Sequence, residues 1–170
     1  MAFKAEDCRA WVEAQAPGAR YVSYLVTGTG TPVNPAPVAV RSGMSFNGPE
    51  LLREIASERG LDDAEKVGQM VETTFLALTD QQVFYGSRSS FRNRPKDLLH
   101  VAPASGFSLH WVDDDRGAGN RFRHLLLDFG DGAWRIERIG LTALNKDMSH
   151  RTNLHEFFEA LGDRAHPVPT

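Results

Sequence analysis

The 170 residues are 41% apolar and 24% charged and carry a formal charge of −3. That composition excludes a disordered chain and a protein whose whole surface is basic for nucleic acid, so phosphate binding has to be local. A single cysteine, Cys8, cannot close an internal disulfide, and no apolar run approaches the roughly 18 residues of a membrane span. The start, "MAFKAEDCRAWVEAQAPG", turns polar and charged where a signal peptide needs an apolar stretch. The expectation is a cytoplasmic protein forming a single domain over residues 1–170.

The first predicted element is a helix within residues 1–18. "AEDCRAWVEAQAPG" opens with acids, stops at Pro17-Gly18, and sets Cys8, Trp11 and Val12 on one face. A lone cysteine on such a face reads as a small core residue rather than a nucleophile. "RYVSYLV" then reads as a strand closed by "TGTGTP". The glycines of "GTGTPV" lack the third glycine and the helix opening of a dinucleotide fingerprint, so they read as a turn.

Residues 28–69 are expected to form a helix-containing insertion. "PVNPAPVAV" holds three prolines and suits an extended connection or an edge. In "NGPELLREIASERG", Asn47 can cap, Pro49 fits the first turn, Gly60 can end the helix, and Leu51, Leu52, Ile55 and Ala56 form its apolar stripe.

Residues 70–139 change to a strand pattern. "MVETTFLALT" and "QQVFYGS" predict a hairpin across Thr79-Asp80-Gln81. "DLLHVA", "GFSLHWV", "RFRHLLLDF" and "AWRIERI" follow at short intervals, and "FGDGAW" supplies a glycine-rich turn between the last two. The final helix, over 151–162, shows Leu154, Phe157, Phe158 and Leu161 at i, i+3, i+4 and i+7. Asn153 and Glu156 have capping-box spacing and Gly162 is placed to follow the helix end. Residues 163–170 are expected to be a mobile tail. Because strands and helices do not alternate, the fold class is α+β rather than α/β.

The run "FLALTDQQVFYGSRSSFRNRPKDLLHVAP" resembles the bacterial pleckstrin-homology-like domains over roughly residues 70–139: an "LALTD"-type strand end, a second apolar strand with a glycine, a basic loop and another strand. The resemblance implies an antiparallel, partly open β-barrel or sandwich capped by the C-terminal helix, with "RYVSYLV" as first strand. The N-terminal helix and the helical insertion are then additions. Domains of this kind bind phosphoinositides, peptides or partner domains, and the fold does not choose among these.

Among residues with chemistry to offer, the serines of "GSRSS" lie in no nucleophile elbow or Walker pattern. Asp113, Asp114 and Asp115 lack the glycine and glutamate positions of a calcium loop and read as a solvated turn. His100, His110 and His124 fall on predicted strands without spacing that would define a metal triad, so histidines satisfied within the sheet are expected. The cationic stretch "YGSRSSFRNRPKDLL" is the candidate binding site, with Arg88, Arg92, Arg94 and Lys96 around Phe91. Arginine can grip phosphate or carboxylate through two parallel N–H bonds, and a loop between strands is where a rigid β scaffold presents such groups.

These features point to a non-catalytic interaction module that uses no cofactor or metal and binds a protein partner or an anionic lipid or phosphate headgroup. The rival is a small enzyme or ligand carrier with a pocket between the inserted helix and the sheet, walled by His100, His110 or Trp111. Nucleic-acid binding ranks last, given the negative charge and the missing basic-aromatic face. Oligomeric state is open.

Overall fold

Strand alternation decides the layering. In β2 (Thr74–Thr79) Leu76 and Leu78 face one apolar cluster while Phe75 and Ala77 face another, so the strand is buried from end to end. β6 (Arg121–Asp128) repeats this, with Leu125 and Leu127 on one side and Leu126 on the other. A sheet whose strands are apolar on both faces has to be covered on both, and the chain supplies a cover for each.

The computed structural model describes residues 2–28, 48–61, 71, 73–115 and 119–170. β1 (Tyr21–Thr27), β2, β3 (Gln82–Arg88) and β4 (Pro95–Pro103) form one antiparallel sheet in that order. The second sheet has the order β8-β7-β6-β5-β9, from β5 (Ser108–Asp115), β6, β7 (Trp134–Ala143), β8 (Lys146–Asp147) and β9 (Ala165–Pro167). Its pairs are antiparallel except β5 with β9, which run parallel. The class is α+β, with one sheet curled as a half-barrel.

Leu25, Leu76 and Tyr85 of the first sheet meet Leu109, Leu125 and Ile139 of the second in a shared core. α1 (Ala5–Gln15) covers the first sheet's outer face with Cys8 and Val12, and Trp11 stands edge-on to Phe75 at 5.0 Å. Burial pushes the Cys8 thiol up to about 12, which leaves it protonated and inert near neutral pH. α2 (Gly48–Glu58) covers the second sheet, packing Leu52 and Ala56 on Val112, Leu126 and Trp134. The described part of the insertion, α2, therefore lies on a sheet. α4 (Leu154–Leu161) sends Leu154, Phe157 and Leu161 into the shared core, while Phe158 is half-buried against Trp111.

Several expectations are corrected. Asp113, Asp114 and Asp115 belong to β5 rather than to a turn. Alternation sends Asp114 inward to His124, 3.3 Å away, and leaves Asp113 to Arg123, whose Nε and Nη2 donate at 2.7 and 3.1 Å. Asn153 makes no side-chain cap. A short helix α3 (Ser149–Thr152) ends on it in the left-handed region, φ 61°, and its amide donates to Ser23 Oγ and Tyr24 O of β1. The segment past α4, read from sequence as a tail, adds β9 to the sheet edge, and Val168 N–H bonds Trp111 O at 2.9 Å. The proline-rich stretch, most of "GTGTPV" and the proposed cap Asn47 lie outside the described residues.

The "FGDGAW" turn between β6 and β7 depends on Gly130, whose φ is +79°. A Cβ there would run into the Gly106 carbonyl, which is backbone and cannot step aside. Gly130→Ala is expected to lose about 1–3 kcal/mol of stability, measured by urea unfolding, because both the dihedral and the contact oppose a side chain.

Candidate functional site

The basic loop leaves β3 and returns in β4. It is closed by its own backbone: Asn93 N–H bonds Ser89 O at 2.8 Å and Ser89 N–H bonds Arg94 O at 2.9 Å, with Asn93 at φ 50°. Asparagine tolerates that left-handed conformation better than most residues. A turn pinned in this way projects its tip, and Phe91 is 87% exposed. Arg92 and Lys96 are exposed beside it. Arg94 reaches back toward α1, 3.7 Å from Asp7, a half-exposed pair worth about 0–1 kcal/mol. The loop is tied to α1 a second time by Trp11 Nε1–H donating to Lys96 O at 3.1 Å.

Arg88 does not join this set. It is buried, and its guanidinium spans the ends of two strands: Nε donates to Thr74 O at 2.9 Å, Nη2 to Thr27 O at 2.8 Å, and Nη1 to Asn93 Oδ1 at 2.8 Å. Burial lowers its ionisation from the ordinary arginine value and the negative charge of Glu137 opposes that; arginine stays charged throughout the working range. The residue read from sequence as one ligand among four holds the loop to β1 and β2.

Behind Arg88 lies a buried polar network that the sequence reading did not single out. Glu137 Oε1 accepts from Thr74 Oγ1 at 2.7 Å and from the Tyr85 hydroxyl, and Arg135 Nε stands 3.6 Å away. Since Thr74 donates to Glu137, the 2.6 Å bond between Thr27 and Thr74 hydroxyls has Thr27 as donor. Burial raises the Glu137 carboxyl above its ordinary value, and the Tyr85 hydroxyl, Arg135 and Thr74 pull it part of the way back. The same burial, and the Glu137 charge, push the Tyr85 phenol above its usual range. A signal was available: Arg135, Glu137 and Ile139 share one strand face, and Ile139 is a plain core residue.

A cavity of about 480 Å³ opens where the ends of β1, β3, β6 and β7 meet α3. Val26, Phe122, Ala143 and Met148 give it apolar walls, and Arg88 and Arg151 give it charge. Its described lining shares no residue with the place anticipated for a pocket beside the insertion, where Leu52, Ala56, Val112, Leu126 and Trp134 occupy the space between α2 and the sheet. The histidines take three separate partners: His100 meets Asp131 at 2.7 Å, His124 meets Asp114, and His110 stacks on His166 at 4.9 Å. Trp111 is covered by Arg123, 3.7 Å over its ring. Among the described residues no group of three or more His, Cys, Asp and Glu side chains converges as a metal site would require.

No family model, curated protein or solved structure matches the chain.

Proposed function

We propose that the chain is a non-catalytic binding module of pleckstrin-homology-like architecture that docks on an anionic headgroup surface through its β3–β4 loop. Four antiparallel strands in one sheet, the antiparallel run β5 to β8 in the other, and α4 packed into the core they share support that architecture. One observation carries the docking: a self-braced loop holds the Phe91 ring out in water with Arg92, Arg94 and Lys96 around it. Exposing a full aromatic ring costs hydration free energy unless something covers it. A protein interface has an apolar centre and covers about 800 Å² per partner, and a single projecting ring ringed by cations is a smaller, more charged feature. An anionic lipid surface takes such a group, the ring entering the headgroup boundary and the cations pairing with phosphates.

Vesicles containing phosphatidylglycerol test this. The parent chain is expected to co-sediment with them, less so as salt is raised, and not with purely phosphatidylcholine vesicles. Replacing Arg92, Arg94 and Lys96 together by alanine is expected to remove about 3 kcal/mol of binding at low salt, near 1 kcal/mol per cation. Because those three side chains are exposed, the melting temperature should hold. Retention of full vesicle binding by the triple variant excludes the loop. Failure of the parent to bind acidic vesicles leaves an acidic protein surface as the partner class for the same residues.

A further inference from the structure

The cavity beside α3 is separate from the tip of the basic loop and has its own chemistry. Its volume, about 480 Å³, falls in the range of roughly 300–1,000 Å³ that small-molecule sites occupy. Phe122, Val26 and Met148 give an apolar lining broad enough for a hydrocarbon body, and no carboxylate is among the described lining residues. Among the described lining residues the charged groups are two arginines, Arg88 buried and Arg151 exposed. A third guanidinium, that of Arg138, lies 4.7 Å over the Phe122 ring.

Arg88 is the informative one. A guanidinium carries five N–H groups, and its protein partners account for one on each nitrogen, leaving one N–H on Nη1 and one on Nη2 without a partner among the described residues. A buried cation with donors to spare on the wall of an apolar cavity gains most from an acceptor that brings negative charge and excludes water. The apolar walls select for hydrocarbon and the cationic wall selects for an acid. One molecule satisfies both.

We propose that this cavity binds a small amphipathic anion, its apolar body against Phe122, Val26 and Met148 and its single acidic head toward Arg88 and Arg151. The head is a carboxylate or a phosphate; both accept the planar pair of N–H donors that a guanidinium offers. Asn93 of the docking loop shares the cavity wall and accepts from Arg88, but Phe91, Arg92, Arg94 and Lys96 are not among the described lining residues, so either reading can fail alone.

Titration calorimetry on the full chain with decanoate, decyl phosphate, decanol and decylammonium, each below its micellar concentration, tests the proposal. Saturable one-to-one binding of at least one anion is expected, with decanol about tenfold weaker and decylammonium weaker still. Arg151→Ala should weaken the anion about tenfold and leave decanol unchanged. Ala143→Trp, at an exposed lining position where a large ring can be added without disturbing the core, should block anion and alcohol alike. The variant lacking Arg92, Arg94 and Lys96 should bind decanoate as the parent does. Which anion binds tighter identifies the head. Equal affinity for decanol and decanoate, an anion affinity indifferent to Arg151, undiminished binding by Ala143→Trp, or no saturable binding of either anion overturns the proposal.

Discussion

Phe157→Ala is expected to lower the unfolding free energy by about 3–5 kcal/mol, read as a shift of the urea midpoint at unchanged slope. The ring is fully buried and belongs to the core shared by both sheets, with Leu154 and Leu161 beside it on the same helix stripe. Removing it takes away transfer free energy and leaves a void between β-sheets whose hydrogen-bonded frames cannot close in. Phe158→Ala is the internal comparison. That ring is half-buried, 6.2 Å from Trp111 and 5.2 Å from the Arg123 guanidinium, so its loss should be clearly smaller. Equal effects at the two positions would show that α4 does not plug the space between the sheets.

The second large effect is expected at Glu137. Glu137→Ala removes the acceptor of the Thr74 and Tyr85 hydroxyls and the anion facing Arg135, all of them buried. Breaking a buried ionic group by deleting one partner costs about 3–5 kcal/mol, since the remaining charge and hydroxyls stay desolvated. Glu137→Gln keeps the shape and an acceptor oxygen, and it isolates the charge. Burial raises the carboxyl's ionisation in the folded chain above its ordinary 4.5, so the folded state holds that proton more tightly than the unfolded state does. The corresponding stability is fully present below the unfolded value and is lost as pH rises through the folded value. The parent should therefore lose stability relative to the glutamine variant as pH climbs from about 4.5, after which the difference levels off. A difference that is constant with pH would mean the carboxylate is fully compensated in place.

How much of this was legible in the sequence follows from which signals are local. The apolar stripe of α4, the two-residue turn between β2 and β3, and the strands from β4 to β7 were all readable, because spacing along one segment fixes which side chains share a face. Thr79 shows how complete such a local signal can be: its hydroxyl accepts from Gln81 and Gln82 N–H, and the hairpin turns on that residue. The capping box failed for a local reason of another kind. The spacing of Asn153 and Glu156 was right, but Asn153 had to join two helices, adopted φ 61°, and spent its amide on β1.

Arg88 marks the boundary for the candidate site. In the sequence it is one of four cations in a row of polar residues, and nothing distinguishes it from Arg92 or Arg94. Two of its three partners are the backbone carbonyls of Thr27 and Thr74, 61 and 14 residues away, brought within reach only by the β1–β2 and β2–β3 pairings. The cavity has the same origin, since its lining comes from Val26, Arg88, Phe122, Ala143 and Arg151 on five separate segments.

The amino-acid order by itself determined the α+β class, the extents of most described helices and strands, the apolar faces of α1, α2 and α4, and the exposed position of the basic loop, because each depends on side chains within a few residues of one another. Tertiary structure alone decided that α2 roofs the second sheet, that β9 pairs parallel with β5, that Glu137 sits among hydroxyls, and that Arg88 turns away from its neighbours into a cavity wall. Those outcomes depend on register and on burial from both sides, and a free energy shared between segments far apart in the chain leaves no spacing to read in either one.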